Sequence, residues 1–157
     1  MGTTESWLKE VIDAAEEVAE TTFLADKNGA DSLEHMPGGR EGALLPLQRG
    51  NESIHVGVFA DEDGCKKLTK ALLQMEDDEE VATEDITDAV GEIVNILGGI
   101  VQRSVDAKDD GHVALGLPVY VRGEVFPPPR SETLVAKMNL GPAEANIVVM
   151  RGELRGR

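Results

Sequence analysis

The chain has 157 residues, 41% of them hydrophobic, and a formal net charge of −15 from 30 acidic and 15 basic side chains. That size and apolar fraction suit one domain, spanning 1–157, with a single core, and exclude a disordered chain. The negative charge repels phosphate backbones, which argues against nucleic acid as a partner, and with aromatics at 3% there are no stacking platforms for single strands.

Cys65 is the one cysteine, so there is no intrachain disulfide, which fits a reducing, cytoplasmic setting. With no histidine near it in sequence, it reads as a buried helix thiol rather than a nucleophile. No apolar run reaches the roughly 18 residues of a membrane helix. The start, MGTTES, lacks the basic-then-apolar pattern of a secretory leader.

In chain order, residues 4–24 form an amphipathic helix. Trp7, Leu8, Val11, Ile12, Ala15, Val18, Ala19 and Phe23 recur at helical spacing, and Thr3 or Thr4 caps the start. Glu10, Asp13, Glu16, Glu17 and Glu20 make the solvated face. Residues 26–42 are a glycine-rich polar connection with room for a short strand, and His35 within it faces solvent. Residues 43–48 and 53–60 read as a hairpin around Gly50 and Asn51, with Pro46 placing the first strand at an edge or bulge. A second helix runs from Asp61 to Met75 and is capped by its aspartates. The acidic run 76–80 is solvated linker. Thr83 or Thr87 caps a third helix.

Residues 106–111 form a turn. HVALGLPVYVRGEVF then gives one or two strands kinked at Gly116 to Pro118, and PPPR (127–130) is a rigid connection. Strands at 132–140 and 144–150 close the fold, followed by a basic, frayed tail. Hairpin-length links dominate. The fold class is therefore α/β of the α+β type, with helices packed on a largely antiparallel sheet.

The stretch of most interest is Asp85 to Val105. It is greasy on most sides, yet Asp88, Glu92, Asn95 and Gln102 form one narrow polar stripe. Gly91, Gly98 and Gly99 interrupt it, each costing roughly 1 kcal/mol of helix stability against alanine. Glu92 and Asn95 leave one face about 4.5 Å apart along the axis. A carboxylate there can pair with a lysine, and a carboxamide can hold a water in one orientation. Phosphoryl hydrolysis needs mainly such positioning when another protein supplies metal and lysine. Bare glycines would let that protein's backbone approach. The same pattern also suits a solvated glutamate and asparagine, and spacing alone favours that plainer reading.

Other chemistries lack their signatures. His35, His55 and His112 are scattered, with no ligand spacing for zinc. There is no GxxxxGK[ST], no GxGxxG opening a helix after a strand, and no GxSxG. The chain is thus expected to carry no metal or cofactor of its own.

Asp88-x-x-x-Glu92-x-x-Asn95-x-x-Gly98 resembles the signature of the CheC/CheX/FliY family of chemotaxis phosphatases. WLKEVIDAAEEVAETTF is similar to the long first helix of the CheX branch, and LGLPVYVRGE to its LPxxxxG strand. CheC members carry two copies of the motif. Here the first helix offers Glu10 and Asp13 without an asparagine, so the single copy points to CheX. The resemblance implies a CheC-like fold and a phosphatase acting on the phosphoaspartate of a CheY-like response regulator. It implies that Glu92 engages the regulator's lysine and that Asn95 orients the attacking water. It implies that Mg²⁺ comes from the regulator, and that a homodimer forms by strands joining across subunits. Asp88, Gly91, Gly98 and Gly99 would line the contact with the partner. The alternative is a non-catalytic adaptor binding a regulator or a flagellar switch component.

Overall fold

The computed structural model describes residues 2–26, 29–108, 111–125 and 127–153. Its elements are α1 (Thr4–Thr21), β1 (Asp31–Leu33), β2 (Glu41–Arg49), β3 (Glu52–Ala60), α2 (Glu62–Leu73), α3 (Thr83–Lys108), β4 (Ala114–Leu115), β5 (Val119–Arg122), β6 (Glu132–Leu140) and β7 (Ala143–Glu153). One antiparallel sheet runs β1-β6-β7-β3-β2, and β4 and β5 share the outer edge of β2.

Strand alternation builds the core. Ile54, Val56 and Val58 of β3 and Ala145, Ile147 and Val149 of β7 join Trp7, Val11 and Val18 of α1 and Val90, Val94, Leu97 and Val101 of α3 in one buried cluster. A smaller cluster of Phe59, Val135, Val148 and Met150 comes from the alternate strand positions, on the opposite face of the sheet. β3 and β7 are central strands, so residues from both faces are buried there.

The caps follow the side-chain chemistry. Thr3 accepts from the Ser6 amide at the start of α1, and Asp61 accepts from the Gly64 amide at the start of α2. Pro46 sits where the outer partner of β2 changes: β5 pairs with Glu41 to Leu44, and β4 with Leu47 and Gln48. The missing N–H of Pro46 falls in that gap, while its carbonyl accepts from the Gly116 amide at 2.8 Å.

Several expectations change. The 106–111 turn begins later, because α3 continues to Lys108; Asp109 and Asp110 lie outside the described residues, as do Lys27 and Asn28 of the glycine-rich connection. Thr87 is inside α3, its hydroxyl donating to the Thr83 carbonyl, so it is no cap. Glu10 is not solvated. It is 5% exposed and accepts from Ser104 Oγ and Lys108 Nζ, because α1 crosses the second half of α3 there. Arg151, assigned to the tail, lies in β7, while Leu154 to Arg157 are outside the described residues.

The Arg151 side chain completes a network around Glu52. Glu52 is buried and accepts from Trp7 Nε1 at 2.7 Å, from Arg151 Nε at 2.8 Å and from the Gly2 amide at 3.3 Å. It joins the N-terminal helix to the first long hairpin and the last strand.

Cys65 is buried, as its helical placement led one to expect. Burial pushes its thiol up to about 11 from an ordinary 9.0. At pH 8 a disulfide reagent should therefore label the native protein at least about 100-fold more slowly than the urea-unfolded chain. Release of the chromophore against time checks this.

Candidate active site

α3 carries the site because it is buried on most of its circumference. Ile86, Ala89, Val90, Ile93, Val94, Leu97, Val101 and Val105 are buried, so only a narrow strip is left for solvent. Glu84 and Asp85 in its first turn and Lys108 in its last complement the helix dipole. On that strip Asp88, Glu92 and Asn95 are exposed. None of the three has a hydrogen-bond or ion-pair partner among the described residues. Gln102, further along the stripe, is occupied: its amide donates to the Val113 carbonyl at 2.7 Å and ties α3 to the segment leading into β4.

The three residues line a groove of about 370 Å³, together with Thr87, Gly91, Ala43, Pro118 and Tyr120. α3 forms one wall and the start of β5 the other. Gly91 underlies Pro118, and a Cβ built there would lie 3.8 Å from the proline ring. Gly98 points inward, where a Cβ would come 2.2 Å from Leu45 Cδ2. Packing against β2 therefore already requires its bare backbone. Gly99 is half-buried on the outer side, with only Arg103 near.

The β5 wall is clasped to its surroundings. The Tyr120 hydroxyl donates to Glu41 Oε1 at 2.9 Å, and burial, the neighbouring Cys65 thiol and that carboxylate push its pKa well up, so it stays a donor. The Arg122 guanidinium lies 4.6 Å above the Tyr120 ring and donates to Thr87 Oγ1 at 3.3 Å. Glu41 Oε2 is 3.8 Å from Arg122 Nε. These bonds span β2, β5 and α3, and they fix the groove's width.

A larger cavity, about 630 Å³, lies among Met36, Arg40, Phe59, Glu62 and Val125. It contains none of the stripe residues; its Glu41 meets the groove through the hydrogen bond from the Tyr120 hydroxyl. Size alone does not make it the reactive site. Among the described residues no group of three or more His, Cys, Asp or Glu side chains is arranged to hold a metal ion, and no helix is long and apolar enough to cross a membrane.

The sequence singled out Asp88, Glu92 and Asn95, and the structure brings them to one groove. Tyr120, Glu41 and Arg122 were not singled out. Pro118 stood only in the kink at Gly116 to Pro118 and in the strand that resembles LPxxxxG, and neither pointed to the groove.

This is the CheC-like fold. A CheC-like superfamily protein from Shewanella sp. PV-4 superposes with a TM-score of 0.76 at 15% identity, over 97% of this chain and 99% of that one. Chemotaxis protein CheX from Vibrio vulnificus gives 0.72 at 16% identity, over 97% and 100%. The CheX–CheY–BeF3–Mg²⁺ complex from Borrelia burgdorferi gives 0.72 at 16% identity, over 92% and 96%. The model of the family "Chemotaxis phosphatase CheX" matches residues 47–136, more than half of the chain. The protein belongs to the CheX family. No curated protein sequence matches it.

Proposed function

We propose that this protein dephosphorylates the phosphoaspartate of a CheY-like response regulator. The observation that carries the reading is a glutamate and an amide one turn apart on a buried helix, exposed in a walled groove and without partners of their own. Polar side chains left without partners at a concave surface are available to another molecule. Membership of a phosphatase family and the fold likeness to a CheX that forms a complex with CheY support the same partner.

In this mechanism Glu92 pairs with the regulator's lysine and sets the register of docking. Asn95 then reaches the phosphoryl group. Its carbonyl oxygen accepts from the attacking water while its N–H₂ donates to a phosphoryl oxygen, so the water is held in line with the bond that breaks. The groove excludes competing water poses. Asp88, Gly91 and Gly99 meet the partner around this pair, while Gly98 serves the core. Mg²⁺ neutralises the phosphoryl charge and belongs to the regulator's own acidic site; the Borrelia complex, which contains Mg²⁺, supports that assignment. Chelation with EDTA should therefore remove the acceleration without altering this protein's own circular dichroism or melting.

Two copies would associate through sheet edges, giving a homodimer with one groove per subunit; light scattering checks this against a monomer mass. The adaptor reading parts from the phosphatase at Asn95, since docking alone has no use for an amide aimed at the phosphoryl group. Timed decay of phosphorylated regulators, with and without the protein, separates the two. Faster decay is expected. Binding with unchanged decay is the adaptor's result.

A further inference from the structure

Three of the five large apolar side chains exposed among the described residues fall within five positions: Leu115 at 38%, Leu117 at 81% and Val119 at 59% exposure. Leu115 and Leu117 precede Pro118, which lines the groove. Leu115 also reaches α3, with its Cδ2 3.7 Å from a Cβ built on Gly98. The segment is preformed. The Gly116 amide donates to the Pro46 carbonyl at 2.8 Å, and a Cβ at Gly116 would strike the Pro46 ring at 2.5 Å.

We infer that Leu115, Leu117 and Pro118 form an apolar ridge along the Asn95 side of the groove, on which the phosphorylated partner seats an aliphatic surface next to its phosphoryl site. This rests on the phosphatase reading. An open sheet edge invites another strand, so a second copy of this chain is the obvious competitor. The edge is poorly made for that. β4 has two residues and β5 has four, and Pro118 between them has no N–H to give. The ridge and the groove share Pro118, so a protein that places a phosphoryl group against Asn95 comes within reach of the two leucines beside it. Burying a leucine there adds affinity without touching the chemistry.

The test uses Leu117→Ser, with Leu24→Ser as a control at a distant, 86% exposed position. Both side chains are solvent-facing, so both variants should fold, and circular dichroism and melting verify it. Two readouts are taken: binding of a BeF3-loaded CheY-like regulator, and steady-state decay of the phosphorylated form. Leu117→Ser should weaken binding and raise KM about tenfold with kcat unchanged, the size expected for one leucine taken from water. Leu24→Ser should match wild type. If Leu117→Ser binds and turns over like wild type, the ridge is overturned. It is also overturned if light scattering shows Leu117→Ser to have lost a dimer that wild type forms. If wild type never accelerates decay, yet Leu117→Ser still weakens binding tenfold, the ridge stands and the phosphatase reading falls.

Discussion

Asn95→Ala should abolish the accelerated decay of a phosphorylated regulator while leaving fold and binding intact. Asn95 is exposed and has no partner among the described residues, so its removal strands no group and opens no cavity. Alanine is the better helix former by about 0.5 kcal/mol, and melting should stay level or rise slightly. What is lost is the group that orients water. A misplaced nucleophile costs about 100-fold or more in rate, enough to return decay to the regulator's own pace. Glu92→Ala should act differently. It removes a charge-assisted hydrogen bond of about 1.5–3 kcal/mol to the partner's lysine, so kcat/KM should fall by roughly ten- to 100-fold. The pair of variants, compared by kcat and by binding, divides docking from chemistry.

Glu52→Ala should destabilise the fold by about 3 kcal/mol. Removing this carboxylate leaves Trp7 Nε1 without its acceptor and Arg151 with only the exposed Glu153 carboxylate as counter-charge, both Trp7 and Arg151 being largely buried. Trp7 is the chain's one tryptophan, so urea unfolding followed by its fluorescence reports the site directly. The network also sets a pH dependence. Burial alone would raise the Glu52 pKa, but the hydrogen bonds from Trp7 and Arg151, the Arg151 charge and the Gly2 amide hold it below its ordinary 4.5. A depressed folded-state pKa means the stabilisation is full above about pH 4.5 and is lost as pH falls through the lower, folded value. Compared with Glu52→Gln, wild type should hold its full advantage at neutral pH. That advantage should shrink progressively below pH 4.5. An advantage constant down to strongly acid pH would mean that the carboxylate's charge is not what stabilises the network.

Much of the fold was legible because periodicity is local. The repeats of α1 and α3 and the alternation of β3, β6 and β7 fixed element type and face. The three polar residues now in the groove stood out for the same reason: a polar stripe on a greasy helix is visible without tertiary information. What was hidden depended on partners far along the chain. Glu10 looked solvated by helical phase, but Ser104 and Lys108, 94 and 98 residues on, cover it. Glu52 fell in the turn between the strands at 43–48 and 53–60, while the arginine that hydrogen-bonds it lies 99 residues away. Gly98 was read as room for a partner, and Leu45 uses that room. The groove's second wall was hidden too, because nothing local says that Pro118 and Tyr120 return to α3.

The most direct measurement is the decay of a phosphorylated CheY-like regulator in Mg²⁺, followed with this protein present in less than stoichiometric amount. The expected result is full turnover of the phosphorylated pool at a rate proportional to the protein added, absent with Asn95→Ala. Decay unchanged by wild type across the regulators it binds, or equally fast with Asn95→Ala, would contradict the assignment of hydrolysis to this groove.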